Sequence, residues 1–130
     1  MNNICTSIKQ SQKLIELGID KNTADMLWTY DFMINNINGL NVISEYLKPE
    51  ENDISAWSLS ALMELMPFQI IENNKRYGFK QWKGYNSQGE TYHFEYVSNI
   101  GTTLYETLNW NNSIDAAFEM VCWLLENKKI

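Results

Sequence analysis

Apolar residues near the start of the chain repeat at helical spacing. Ser7 and Gln10 form an S-x-x-Q pair, in which each side chain can satisfy a free backbone N–H at the start of a helix. Gly18 can adopt the left-handed conformation that ends a helix, so a helix is predicted to run from Ser7 to just before Gly18. Its apolar side consists of Ile8, Leu14, Ile15 and Leu17.

Two further stretches show helical periodicity. Ser58 is predicted to cap a short helix over residues 59–66, which Pro67 ends. Ser113 is predicted to cap a final helix that runs to about residue 127. The broad apolar face of this last helix comprises Ile114, Ala117, Phe118, Val121, Leu124 and Leu125.

Met120 and Trp123 extend the apolar character of the final helix toward its other side and leave only a narrow polar stripe. Two interpretations follow from this pattern. Either the helix is the central core helix of one chain, or Met120 and Trp123 form an edge that meets a second chain in an oligomer.

Segments rich in β-branched and aromatic residues separate the helices and predict strands. The firmest prediction is a hairpin whose turn lies at residues 86–89, and an earlier hairpin is expected to turn at residues 35–39. The predicted fold is therefore one α+β domain over residues 1–130, with a mainly antiparallel sheet of about 4–5 strands packed with three helices. The predicted strands cover residues 26–32, 40–43, 69–72, 77–85, 91–97 and 103–108.

Composition is that of an ordinary globular domain. The 130 residues are 45% hydrophobic and 20% charged, which is too apolar for a disordered chain. The first residues lack the pattern of a signal peptide, and no later apolar run is long enough to span a bilayer. These features predict a cytoplasmic protein without a membrane partner.

The chain contains no recognisable catalytic motif. No glycine-rich phosphate loop is present, and the two cysteines, Cys5 and Cys122, are far apart in the sequence. His93 is the one histidine, which excludes sites with several histidines, so neither a metal nor a cofactor is expected. In a strand His93 would point to the same side as Thr91 and Glu95. An enzyme that uses His93 with a nearby carboxylate is therefore a third hypothesis, behind two binding functions.

A basic and aromatic segment over residues 75–85 is the strongest candidate binding site. It holds four of the ten basic residues, and cations and rings together can bind phosphates and bases or a protein surface. A formal net charge of -6 opposes a polyanion, so nucleic-acid binding is the alternative and protein binding is preferred. The candidate residues are Lys75, Arg76, Tyr77, Phe79, Lys80, Trp82, Lys83 and Tyr85.

Several longer segments resemble a known group of proteins. They are CTSI at residues 5–8, LIELG at 14–18, TADM at 23–26, AWSLSAL at 56–62 and AAFEMVCWLLEN at 116–127. With these segments the chain resembles uncharacterised small phage-related proteins, which are encoded in phages and integrated mobile elements of gut Bacteroidota. The resemblance implies an accessory protein that acts by binding and supplies no activity or site. The leading hypothesis is thus a non-enzymatic accessory domain that binds a protein partner or itself.

Overall fold

Residues 4–130, which the computed structural model describes, form three α-helices and seven strands. This arrangement confirms the predicted α+β class and the three helices. Residues 1–3, on which part of the prediction about the N-terminal sequence rests, lie outside the described residues. The elements are α1 (Ile8–Glu16), β1 (Met26–Asp31), β2 (Asn36–Val42), β3 (Ile54–Ala56), α2 (Leu59–Leu65), β4 (Gln69–Glu72), β5 (Lys75–Asn86), β6 (Gly89–Val97), β7 (Thr103–Glu106) and α3 (Ser113–Glu126).

The strands form two antiparallel sheets, where the sequence had suggested a single one. The first has the order β2-β1-β3, and the second has the order β4-β5-β6-β7. β3 was not predicted, because three residues are too few to show the alternation by which a strand is recognised.

The first hairpin turns earlier than predicted. Its turn lies between Asp31 and Asn36, and β2 continues through Gly39. The register shifts there, since Trp28 pairs with Leu40 while Tyr30 pairs with Ile37. The strand therefore carries an extra residue at this point, and Gly39 accommodates the bulge with φ 122°. Gly39 thus marks a bulge within a strand and not a turn.

Side-chain caps fix where the helices begin. Ser7 and Gln10 form the predicted capping box of α1, and the Ser58 side chain accepts the Ala61 backbone N–H at the start of α2. The prediction for α3 is wrong by one residue, because its cap is Asn112 and not Ser113. The Asn112 side-chain oxygen accepts the Ile114 backbone N–H at 2.7 Å, which leaves Ser113 as the first helical residue.

Buried apolar side chains form two clusters. The larger one lies between the helices and one face of the four-stranded sheet, and it includes Trp57, Phe94 and Tyr96, all 0% exposed. The smaller one consists of Cys5, Met26 and Ala56, at the three-stranded sheet. Since Ala56 and Trp57 are adjacent in the sequence, a single peptide unit joins the two clusters.

The final helix is held within the monomer from several directions. Met120 is 0% exposed and belongs to the larger cluster, so it does not form an oligomer edge. Glu119, on the same helix, accepts hydrogen bonds from the Leu108 backbone N–H at 3.0 Å and the Trp110 indole N–H at 2.9 Å. It also accepts the Tyr105 hydroxyl. These three hydrogen bonds hold β7 and the following loop against α3. Within the described part of the chain, no helix has both the length and the apolar composition to cross a lipid bilayer.

Candidate functional site

The β5–β6 hairpin carries the basic and aromatic segment, and strand alternation divides its residues between two faces. Phe79 pairs with Tyr96 and faces the helices, where its ring stacks on Phe94 with centroids 5.6 Å apart. Tyr77 is two residues from Phe79, so it lies on the same face of β5, and it is buried, at 8% exposure. Tyr77 and Phe79 were predicted to bind a ligand, but Tyr77 is buried in the core and Phe79 is partly buried against it.

The remaining six predicted binding residues are exposed, and Arg76, Lys80 and Trp82 lie on the sheet face away from the helices. Part of this open face is a groove of about 770 Å³ over Gly78, with Lys75, Arg76 and Lys80 along it. Among residues 4–130, no carboxylate lies within 4 Å of any of these three cations. The groove is therefore positively charged and suits an anionic group.

Beyond β4, one edge of β5 carries no partner strand among the described residues. The last pair between β4 and β5 is Gln69 with Gly78, and Phe79 then donates its backbone N–H to the Phe68 carbonyl at 2.9 Å. In an antiparallel sheet, alternate residues direct their N–H and C=O groups to the same side. Gln81, Lys83 and Tyr85 therefore direct their backbone groups outward along this free edge.

Charged side chains near the hairpin turn interact weakly. Lys83 lies 3.7 Å from Glu90 and 5.8 Å from the Tyr92 ring, and both members of the ion pair are exposed. The Tyr92 hydroxyl donates to Glu90, which raises the pKa of this tyrosine above its usual value. Because exposed ion pairs are screened by water, Lys83 can exchange Glu90 for another carboxylate at little cost.

A second group of polar residues lies on the open face, toward β7. His93 and Glu95 share this face of β6, and Glu106 of β7 is directly opposite Glu95. One donor atom from each of the three side chains lies within 4.8 Å of the others. Glu95 is 8% exposed, whereas Glu106 is exposed. The His93 ring stacks against Trp82, with centroids 6.1 Å apart and planes 21° apart.

The two cysteines are poor nucleophiles. Cys5 is 1% exposed, and burial raises the pKa of the Cys122 thiol to about 12. Because the thiolate is the reactive form, Cys122 stays in its unreactive thiol form at neutral pH. Burial therefore disfavours nucleophilic chemistry at either cysteine.

Some features of the site were accessible from the sequence and others were not. The order His93-Phe94-Glu95 indicates two donors on one face of a strand, and the sequence does predict that pair. Glu106 was missed, because its position opposite Glu95 depends on the pairing of β6 with β7. The free edge of β5 was missed as well, since it depends on where β4 ends.

Comparisons with known proteins do not extend this description to a family. No protein-family model, no curated protein and no solved structure matches the chain.

Proposed function

We propose that this protein is a protein-binding accessory domain, and that it takes up an extended acidic segment of its partner along the free edge of β5. The observation that carries the proposal is the row of outward backbone groups at Gln81, Lys83 and Tyr85, beside exposed cations. An extended peptide can satisfy such groups by adding a strand to the sheet.

The positive charge of β5 favours a partner segment that is acidic. β5 holds Lys75, Arg76, Lys80 and Lys83, which are four of the ten basic residues in a chain of net charge -6. A segment rich in Asp and Glu would place carboxylates beside these cations. A second copy of the chain is disfavoured at this edge, because two β5 strands side by side would bring lysines against lysines.

Exposed aromatic side chains on both faces of β5 favour a peptide ligand over a nucleic acid. Trp82 is 47% exposed on the open face, and Tyr85 is 82% exposed on the opposite face. The side chains of an added strand alternate between the same two faces, so Trp82 and Tyr85 can each contact one row of them. Because each face of β5 carries both a cation and an aromatic ring, a sequence with acidic and apolar residues on each face, such as repeated Glu-Glu-Val-Val, fits this arrangement best.

The biological setting of this function comes from the sequence alone. The resemblance to phage-related proteins implies an accessory role in a mobile element, and that role remains a prediction. Binding by strand addition is compatible with it, since it requires no cofactor.

A labelled peptide of Glu-Glu-Val-Val repeats, which places Glu and Val on both faces of an added strand, tests the proposal by fluorescence anisotropy. The informative variant is Gln81→Pro, which removes one outward N–H without changing the charge, at an edge position where proline is tolerated. Loss of one hydrogen bond should weaken binding by about 1 kcal/mol, about fivefold. Gln81→Ala keeps the N–H and should bind the peptide as the wild type does.

Charge reversal provides the second arm. The double variant Lys80→Glu/Lys83→Glu should weaken peptide binding at least tenfold, since about 1.4 kcal/mol suffices for that change. A labelled single-stranded oligonucleotide is measured in parallel. If it binds more tightly than the peptide and Gln81→Pro leaves its affinity unchanged, the site binds nucleic acid and the proposal is wrong. Equal peptide affinity in the wild type, Gln81→Pro and Lys80→Glu/Lys83→Glu would also refute it.

A further inference from the structure

We propose that His93, Glu95 and Glu106 form a binding site for one divalent transition-metal ion, with Zn²⁺ as the best match to their donor atoms. This site is separate from the β5 edge and goes beyond the proposed function. Imidazole nitrogen and carboxylate oxygen are both common zinc ligands, and three protein ligands with water completing the shell is a usual arrangement.

The spacing of the donors fits an ion. Their atoms lie within 4.8 Å of one another. Ligands about 2.1 Å from a tetrahedral zinc ion are about 3.4 Å apart, so the donor atoms need to move closer by at most about 1.4 Å, within the reach of side-chain rotation. His93 and Glu95 are on the central strand β6, whereas Glu106 is exposed and has the most freedom to adjust.

The surroundings of Glu95 indicate that a cation can bind here. Its side chain is more than nine-tenths buried, and no hydrogen bond or ion pair reaches its carboxylate from the described residues. A second carboxylate, that of Glu106, lies directly across the ladder from it. Like charges in such a pair repel each other, and a carboxylate with little access to water and no hydrogen-bond partner is costly. An ion bound between the two would remove both penalties.

Lys80 does not neutralise this pair. It occupies the register position beside Glu95 on β5, but its ammonium group lies 5.9 Å from the Trp82 ring centre and more than 4 Å from the Glu95 carboxylate. Two carboxylates face one lysine on this part of the sheet, so a negative charge remains available to a metal.

An ion can reach the site, and the imidazole is oriented for it. No fully buried side-chain N or O atom in residues 4–130 lacks a hydrogen-bond partner, so the unpartnered Glu95 oxygens must keep some contact with solvent. The stacking of His93 on Trp82 restricts rotation of the imidazole ring. A histidine whose ring rotation is already restricted loses less conformational freedom when it binds a metal.

Isothermal titration calorimetry with Zn²⁺ tests the site, using two variants that preserve packing. Glu106→Gln removes one carboxylate from an exposed position, and His93→Phe removes the nitrogen donor but keeps a ring against Trp82. The wild type should bind one Zn²⁺, and each variant should bind it at least about tenfold more weakly. Glu90→Gln, a matched control on the other face of the same strand, should bind Zn²⁺ like the wild type.

Thermal melting distinguishes a metal site from a merely structural cluster. Without metal, Glu106→Gln should melt at a higher temperature than the wild type, because it relieves the repulsion of Glu95. Added Zn²⁺ should raise the melting temperature of the wild type by more than that of Glu106→Gln at the same metal concentration. Absence of Zn²⁺ binding, equal binding in all variants, or a metal-free Glu106→Gln that melts no higher than the wild type would overturn the proposal. Peptide binding measured in EDTA keeps this result separate from that of the proposed function.

Discussion

The Tyr105 ring lies flat on the Trp123 ring, with centroids 4.5 Å apart and planes 9° apart. Trp123 also lies near Tyr96, with ring centroids 6.5 Å apart. These contacts explain the apolar second side of α3 within a single chain. Trp123 packs against the four-stranded sheet and is partly covered by it, so the helix gains its partner from the same molecule.

Replacement of this ring should cost stability and leave assembly unchanged. Trp123→Ala should lower the free energy of unfolding by about 3 kcal/mol, near the low end for a large aromatic residue because Trp123 is only partly buried. Urea denaturation measures this change, and sedimentation velocity should give one mass for both proteins. A wild-type oligomer that Trp123→Ala dissociates would show that Trp123 does form an edge between chains.

The cap of α3 gives a prediction in which two neighbouring residues differ. Asn112→Ala should destabilise the protein by about 1 kcal/mol, because it leaves the Ile114 N–H without its acceptor. Ser113→Ala should change the stability by less than about 0.5 kcal/mol, since Ser113 is already inside the helix. Chemical denaturation of both variants checks the order. A larger loss of stability in Ser113→Ala than in Asn112→Ala would show that Ser113 is the cap, as the sequence predicted.

Thr6 provides a buried polar contact whose loss should be costly. Its hydroxyl oxygen accepts the Trp57 backbone N–H at 3.1 Å and lies 2.8 Å from the Ser11 hydroxyl. Thr6→Val keeps the shape but leaves that N–H buried without an acceptor, so the free energy of unfolding should fall by about 2 kcal/mol. In contrast, Thr103→Val at an exposed position should change it by less than about 0.5 kcal/mol. Equal effects in urea denaturation would show that the Thr6 hydrogen bond does not matter.

Cys122 should make stability depend on pH in alkaline solution. Burial, reinforced by the charge of Glu126, raises the pKa of the folded thiol from 9.0 to about 12. Below pH 9.0 the thiol is protonated in both states; above it, the unfolded chain ionises first and is favoured. Stability should therefore fall as the pH rises from about 9 toward about 12.

The variant Cys122→Ala isolates this effect from other groups that titrate in the same range. Between about pH 8 and about pH 10, urea denaturation should show a larger loss for the wild type than for Cys122→Ala. Burial also raises the pKa values of Tyr96 and Tyr105, and this effect is present in both proteins. Parallel losses in the two proteins would mean that the thiol is not the source.

Local signals in the sequence predicted most of the helices and the second hairpin. The capping box at Ser7, the proline after α2 and the short turn between β5 and β6 each act over a few residues, so they can be recognised without a structure. Gly39 shows the limit of such signals, because a glycine with positive φ serves a turn or a bulge equally well.

Long-range pairing accounts for what the sequence did not predict. The division into two sheets, the position of Glu106 opposite Glu95, and the free edge of β5 all depend on which strands meet. The packing of Tyr77 and Phe79 against the core has the same origin, since alternation shows that they share a face but not which face the helices cover. The sequence therefore located the candidate site along the chain, but it did not show which of its residues face the core and which face the surface.

The junction of Ala56 and Trp57 has a consequence for how the molecule melts. These neighbours belong to different apolar clusters, so strand β3 cannot leave the three-stranded sheet without also withdrawing the Trp57 ring from the larger core. Neither cluster can be lost alone, and unfolding should be a single all-or-none transition. Differential scanning calorimetry should therefore show one heat-absorption peak. The enthalpy of unfolding from the area of this peak should equal the van't Hoff enthalpy from the temperature dependence of the unfolding equilibrium.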